Sequence, residues 1–231
     1  PATIARMTQQ DRPTALADHQ DMTLDEMVAH RADLLTAYQN KRYAQRYLEM
    51  MTQIKASDLP APAQMAVAKS YYKLLAVKDE WEVARLYAHP DFRAGLKDTF
   101  DGELRLTFHV GAWPFGKTDK VTGKTRKGSV GGWMLQVFRV MAKMRFLRGT
   151  LFDPFRNTAE AKLARKILAD YESDIAFARA LDETQPQITA LLDLPAHIRG
   201  YGHVRERHVA AVNVQRRDLR AALMSKQEAA A

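Results

Sequence analysis

Apolar residues recur at three- and four-residue steps along most of this chain, and they alternate strictly in one place only. The first helical stripe opens at Thr23-Leu24-Asp25-Glu26. There a hydroxyl and a carboxylate three residues apart can satisfy free backbone N–H groups reciprocally, the capping-box pattern. Leu24, Val28, Leu35 and Tyr38 keep helical spacing, and Tyr43, Tyr47, Met50 or Met51 and Ile54 resume it after a five-residue step. One helix with a rotated face and two helices joined near Asn40 both fit that break. The segment SDLPAP (57–62) interrupts the pattern. A second long helix is then predicted from Ala63 to Ala88, with Val67, Tyr71, Leu74 or Leu75, Trp81 and Leu86 on its stripe and His89-Pro90 as its end. A short amphipathic piece, PDFRAGLKDTF, leads to the turn signal Asp101-Gly102.

The period then changes. In ELRLTFHV (103–110), Leu104, Leu106, Phe108 and Val110 alternate with Glu103, Arg105, Thr107 and His109, which predicts a half-buried strand. Residues 111–132 hold Gly111, Gly116, Gly123, Gly128, Gly131 and Gly132. They also hold Lys117, Lys120, Lys124, Arg126 and Lys127 against a single acid, Asp119, and KVTGKT has the character of a hairpin turn. Helical spacing returns in WMLQVFRVMAKMRFL from Trp133 and ends at Arg148-Gly149. After DPF (153–155) a helix capped by Asn157 or Thr158 carries Leu163, Ile167, Tyr171, Ile175, Ala178 and Leu181. A short helix is predicted over 186–194, and a last one follows LPAHIRGYGHV with Val204, His208, Val212, Leu219 and Leu223 on one face.

Several helices around one hairpin predict a mainly α fold: a single helical domain over residues 23–231 with one small antiparallel β-hairpin. A strand–helix–strand rhythm is missing, which excludes a doubly wound sheet. Residues 1–22, polar and irregular, read as a linker or N-terminal arm. The chain begins at Pro1 rather than Met, so a processed chain or a piece of a longer polypeptide is expected.

Composition adds two constraints. With no cysteine, the chain supplies no disulfide, no thiolate zinc site and no iron–sulfur ligand. No apolar run approaches the ~20 residues a bilayer-spanning helix needs, so a cytoplasmic protein without a membrane partner is expected. The formal net charge of +8 suggests an acidic partner.

Candidate chemistry is sparse. GAWPFGKT (111–118) fits the phosphate-loop pattern G-x-x-x-x-G-K-[ST], but such a loop needs converging N–H groups and a helix starting at its Gly-Lys-Thr. Pro114 removes a donor, Trp113 and Phe115 add bulk, and no apolar helical stripe follows Thr118. The histidines His19, His30, His89, His109, His197, His203 and His208 form no i,i+4 pair with an intervening acid, so structural or surface roles fit them. Asp79, Glu80 and Glu82 fall on different sides of a helix rather than across a cleft, and an ion pair of Glu82 with Arg85 or Lys78 suits them. Trp133, Phe138 and Met141 read as core. No catalytic, cofactor-binding or metal-binding residue emerges.

Four blocks nevertheless occur in one family's order and spacing: LLTAYQNKRYAQRY (34–47), KLLAVKDEWEVARLY (74–87), GWMLQVFRVMAKMRFLRGTLFDPF (132–155) and IRGYGHV (198–204). From Leu24 to Leu223 the sequence resembles the C-terminal domain of the indolepyruvate ferredoxin oxidoreductases, the fused 2-oxoacid:ferredoxin oxidoreductases. The resemblance implies membership of a larger enzyme that decarboxylates aryl 2-oxoacids on thiamine diphosphate. Such an enzyme passes electrons through iron–sulfur clusters to ferredoxin and forms an acyl-CoA. Those cofactors would lie in other domains, in keeping with the absence of cysteine here. The family tends to MAYKDEY where this chain has LAVKDEW, and to a proline-rich apolar stretch where it has FHVGAWPFG.

The expectation is therefore an accessory domain that packs on catalytic domains and meets other subunits or ferredoxin. Its expected interface residues are Lys78, Asp79, Glu80, Lys117, Lys120, Lys124, Arg126, Lys127, Arg199, Tyr201 and His203. The rival is a free-standing basic helical module that binds nucleic acid through the 117–127 loop.

Overall fold

The computed structural model describes residues 22–102, 105–110, 117–118, 125–126, 128–181 and 186–230. Among these the chain is mainly helical, with nine α-helices and a short antiparallel β-ribbon, as the hydrophobic pattern predicts. The expected arm lies outside the described residues except for Met22, which packs on the core.

Helices α1 (Leu24–Tyr38) and α2 (Lys41–Lys55) resolve the ambiguity at Asn40 in favour of two helices. Thr23 and Glu26 form the predicted capping box on α1. The Asn40 side chain accepts the Tyr43 N–H at 2.9 Å and starts α2 afresh. The predicted helix from 63 to 88 is two helices, α3 (Ala61–Leu75) and α4 (Glu80–Ala88). They are separated because Asp79 caps α4 by accepting the Glu82 N–H at 2.8 Å. Helix α5 (Pro90–Thr99) follows at once and has no buried residue.

Strand β1 is shorter than predicted, Thr107–Val110, and pairs antiparallel with β4 (Gly128–Gly131). A second two-stranded sheet pairs β2 (Lys117–Thr118) antiparallel with β3 (Thr125–Arg126), and the predicted KVTGKT turn lies, apart from Thr125, outside the described residues. Helix α6 (Met134–Lys143) ends earlier than predicted and passes into a 3-10 turn, Arg145–Leu147. Helix α7 (Ala159–Arg179) starts on Thr158, whose hydroxyl accepts the Ala161 N–H. Then come α8 (Pro186–Asp193), a 3-10 turn at Leu194–His197, and α9 (His203–Ala230).

Two hydrophobic cores result. The larger lies between α1, α2, α3, α7, α8 and α9, with Tyr47, Tyr71, Leu35, Ile175 and Leu191 enclosed at its centre. Buried Tyr side chains keep their hydroxyls paired: Tyr47 donates to the Ala68 carbonyl at 3.0 Å and Tyr171 to that of Leu192 at 2.8 Å. On its far side Asp174, almost fully buried, is held by Arg216 at 2.5 Å and Arg220 at 2.6 Å, which ties α9 to α7. The smaller core sits between α4, α6 and the β1–β4 ribbon around Ala84, Phe108, Met134, Leu135 and Phe138. Tyr87 is its hub, stacked on Phe138 at 5.2 Å and edge-on to Phe108 and Phe92. No helix among the described residues is long and apolar enough to cross a membrane.

Candidate interaction surface at the 78–80 turn

The link between α3 and α4 brings three distant blocks of sequence together. Asp79 is the first member. Besides capping α4 it takes a two-pronged ion pair from Arg148, Nε to Oδ2 at 2.6 Å and Nη2 to Oδ1 at 2.8 Å. The third prong of Arg148, Nη1, donates to the Tyr38 carbonyl at 2.8 Å, and its guanidinium lies 3.6 Å from the centre of the Tyr38 ring. The Tyr38 hydroxyl in turn donates to the Val77 carbonyl at 2.9 Å, and burial pushes its pKa well above the ordinary tyrosine value. Each nitrogen of the Arg148 fork donates a hydrogen bond, at a position where the side chain is only 9% exposed. Asp79, expected at an interface, clasps the end of α1 and the turn after α6 to the α3–α4 link and keeps a side chain 23% exposed.

Lys78 and Glu80 flank this clasp and face outward to different degrees. The Lys78 ammonium lies 5.5 Å from the centre of the Tyr201 ring, within cation–π reach. Glu80, half-buried in the first turn of α4, has its carboxyl pushed above its ordinary value. Burial is the main cause, and the neighbouring charges of Asp79, Asp153 and Glu160 add to it. Asp153 itself is engaged: Oδ1 accepts the Trp81 indole N–H at 3.1 Å and Oδ2 the Gly149 N–H at 2.8 Å.

The 198–204 block closes the cluster. Gly200 and Gly202 both sit at positive φ, 81° and 53°. A Cβ on Gly200 would also meet Val204 Cγ1 at 2.7 Å, so both backbone conformation and space require glycine there. The turn they make aims the Gly202 N–H at Glu160 Oε1, 2.6 Å away, and Arg205 reaches Oε2 of the same carboxylate at 3.3 Å. Arg199, Tyr201 and His203 remain on the exposed rim. His208 lies against the start of the same turn. Its Nδ1 lies 3.2 Å from the Arg199 nitrogen and 2.8 Å from the Arg199 oxygen. Among the described residues no group of three or more His, Asp or Glu is placed to hold a metal ion.

The structure thus brings Lys78, Asp79, Glu80 and Tyr201 into one neighbourhood, with Arg199 and His203 in the same turn as Tyr201. Lys117 and Arg126 are backbone partners in the β2–β3 register, and Lys117 and Thr118 lie in a strand rather than the first turn of a helix, while residues 111–116 of the phosphate-loop pattern lie outside the described residues. Lys120, Lys124 and Lys127 lie outside the described residues. Glu82 does pair with Arg85, at 2.8 and 2.7 Å.

Three features escape the sequence pattern. Arg148 was read as a helix terminator, although the turn it opens makes it the partner of Asp79. Trp133, read as core, is 56% exposed, and Leu86 on the predicted α4 stripe is exposed as well. Leu151 and Phe152 stand in a turn bracketed by Gly149 and Pro154, and an apolar pair between turn residues was the available signal that they face solvent.

No curated protein and no solved structure matches this chain. Residues 24–218, which include the smaller core, most of the larger and the whole 78–80 cluster, match DUF6537, a family of unknown function, and the chain belongs to that family.

Proposed function

We propose that this chain is an accessory interaction domain of a larger thiamine-diphosphate-dependent 2-oxoacid:ferredoxin oxidoreductase and carries no catalytic residue of its own. The observation that carries the reading is where the family-like blocks end up. KDEWEVARL, GWMLQVFRVMAKMRFLRGTLFDPF and IRGYGHV, far apart in sequence, converge on one surface through Asp79–Arg148, Trp81–Asp153 and Lys78–Tyr201. Their polar groups are mostly spent on each other: Asp79 on Arg148, Asp153 on Trp81 and Gly149, Glu160 on Gly202 and Arg205. A cluster so fully paired positions backbone and shapes a surface, and it leaves Lys78, Arg199, Tyr201 and His203 on the rim for a neighbouring domain or an acidic ferredoxin. The thiamine diphosphate, iron–sulfur clusters and coenzyme A of such an enzyme belong to other domains, since this chain has no cysteine to ligate a cluster.

The test is an assay of the full natural protein, purified without oxygen. Indolepyruvate-dependent, coenzyme-A-dependent reduction of ferredoxin is expected from that protein and none from residues 1–231 alone. Absence of any 2-oxoacid-dependent reduction by the full protein would remove the oxidoreductase reading.

A further inference from the structure

Among the described residues, six of the twelve exposed large hydrophobic side chains lie between Trp133 and Phe152. The exposures there are high: Val140 58%, Met144 40%, Phe146 61%, Leu151 85% and Phe152 82%. Val140 and Met144 stand one turn apart on the outer side of α6, opposite the buried Met134, Leu135 and Phe138, and the 3-10 turn and the 149–152 turn continue the strip from the end of that helix. Exposed positions from 131 to 154 include a single charged residue, Lys143, so the strip has the charge-poor centre of a protein interface. A monomer surface rarely leaves so many large apolar side chains contiguous.

The sequence on either side of the strip is cationic. Residues 103–156 hold eleven Lys and Arg against three Asp and Glu, a surplus of eight that equals the formal +8 of the entire chain. Among the described residues, none of Arg105, Arg139, Lys143, Arg145 or Arg156 makes an ion pair with an acid. Arg145 is satisfied by the carbonyls of Gln39 and Ala142, which leave its charge uncompensated. The strip is also stiff, because the turn that carries Leu151 and Phe152 is held by Arg148 on Asp79 and by Asp153 on Trp81 and Gly149.

We propose that residues 133–152 form a docking face for an acidic protein surface with an apolar centre, carried by a neighbouring subunit or domain of the same assembly. Charge complementarity selects this occupant. A second copy would present the same positive surplus and be repelled. Nucleic acid gains nothing from Val140, Met144 and Leu151, which offer phosphate no donor. A fluid bilayer needs no braced surface, whereas a rigid strip lowers the cost of shape-specific protein binding. The inference deepens the interaction-domain reading above without needing the larger enzyme to be an oxidoreductase.

The experiment compares the protein purified from its own cells, with everything it assembles with, against the isolated 231-residue chain. Hydroxyl-radical footprinting is expected to modify Met144, Phe146, Leu151 and Phe152 about fivefold more slowly in the assembly. Carbodiimide, which joins an amine to a carboxylate without a spacer, is expected to link Lys143 to an Asp or Glu of the partner. The variant Leu151→Asp/Phe152→Asp changes only exposed side chains, so it is expected to keep its Tm and lose the partner. Equal modification rates, or a Lys143 that links to no acid, overturn the proposal. Protection of the isolated chain by phosphatidylserine-containing vesicles or by a DNA duplex overturns it too. If the preparation shows no 2-oxoacid oxidation while the strip is protected and Lys143 is linked, the docking face stands and the oxidoreductase reading falls.

Discussion

The two cores of this chain differ in size, in chemistry and in what surrounds them. Among the described residues, twenty-eight buried side chains fill the larger one, mostly aliphatic and mostly from six helices, whereas five fill the smaller, which leans on the Tyr87, Phe92, Phe108 and Phe138 ring cluster. Aromatic rings bury large areas from few positions and add edge-to-face attraction, so a ribbon and two helices can hold together with little else. Charge divides the same way. All of the net positive charge falls in residues 103–156, which carry the ribbon and α6 of the smaller core, while the remainder of the chain balances acid against base. The larger core behaves as a scaffold and the smaller as the face it presents. The clasp between Tyr38, Asp79 and Arg148 is where the two are joined.

The sharpest way to break this division is to open one cavity in each core. Ile175→Ala, at a site 1% exposed, is expected to cost about 2–5 kcal/mol, and Phe138→Ala about 3–5 kcal/mol. Similar costs should have different reach. Ile175→Ala should lower protection from hydrogen exchange throughout α1–α3 and α7–α9, while Phe138→Ala should loosen α4, α6 and the ribbon and leave α7 protected. If Phe138→Ala deprotects α7 equally, the cores are one cooperative unit and the scaffold-and-face division fails.

The junction comes next in size. Arg148→Ala leaves Asp79 without its partner and removes the contacts to the Tyr38 ring and carbonyl. Because Asp79 retains some exposure and its capping bond to Glu82, the expected loss is about 2–3 kcal/mol, below that for breaking a fully buried pair. Arg148→Lys should recover little, since one ammonium cannot span both carboxylate oxygens and the Tyr38 carbonyl. Thermal unfolding of Arg148→Ala, Asp79→Ala and the double variant gives the coupling directly. A double variant no worse than either single would place the whole cost in the pair, and strict additivity would show that the clasp does not act as a unit.

Most of the scaffold was legible because helices write their buried face at a fixed period and announce their starts with side-chain caps. Thr23-Glu26 and Asn40 act as caps in the structure, and Val67, Tyr71, Ile167 and Ile175 are buried as their stripes require. The junction was not legible. Trp81 continues the α3 stripe, so the chain reads as one helix through 76–79 until Asp79, two residues earlier, is recognised as a cap. The presented face was misread for a physical reason. Phe138 and Met141 do pack in the smaller core as expected, but Trp133 is 56% exposed, and an apolar side chain at the surface looks the same in sequence as one turned into a core. Of the eleven expected interface residues, Asp79 spends its carboxylate on Arg148 and the α4 cap while keeping a side chain 23% exposed, and Lys120, Lys124 and Lys127 lie outside the described residues. All eleven were chosen by charge, turn signals or family-like blocks, none of which names what covers a surface.

The smallest effect probes the electrostatics of the junction through Glu80. Two influences act on its carboxylate in opposite senses. The first turn of α4 favours a negative charge through the helix dipole, while burial and the nearby Asp79, Asp153 and Glu160 disfavour it. The raised pKa means that burial wins. Below the ordinary value of 4.5 the folded and unfolded chains both hold the proton, so Glu80 is then neutral for stability. Between 4.5 and the raised folded value the folded chain keeps a proton that the unfolded chain has released, and stability falls as pH rises through that window. Above it, ionised Glu80 weakens the fold by a constant amount. Glu80→Gln preserves the shape and removes the charge, so its Tm should match that of the wild type near pH 4 and exceed it at pH 7. Taking the difference between the two proteins at each pH cancels the titration of the other acids. A wild type that is the more stable protein at pH 7 would mean that the dipole, or Lys78 beside it, outweighs burial, and that the junction is wetter than the packing around Trp81 and Asp153 indicates.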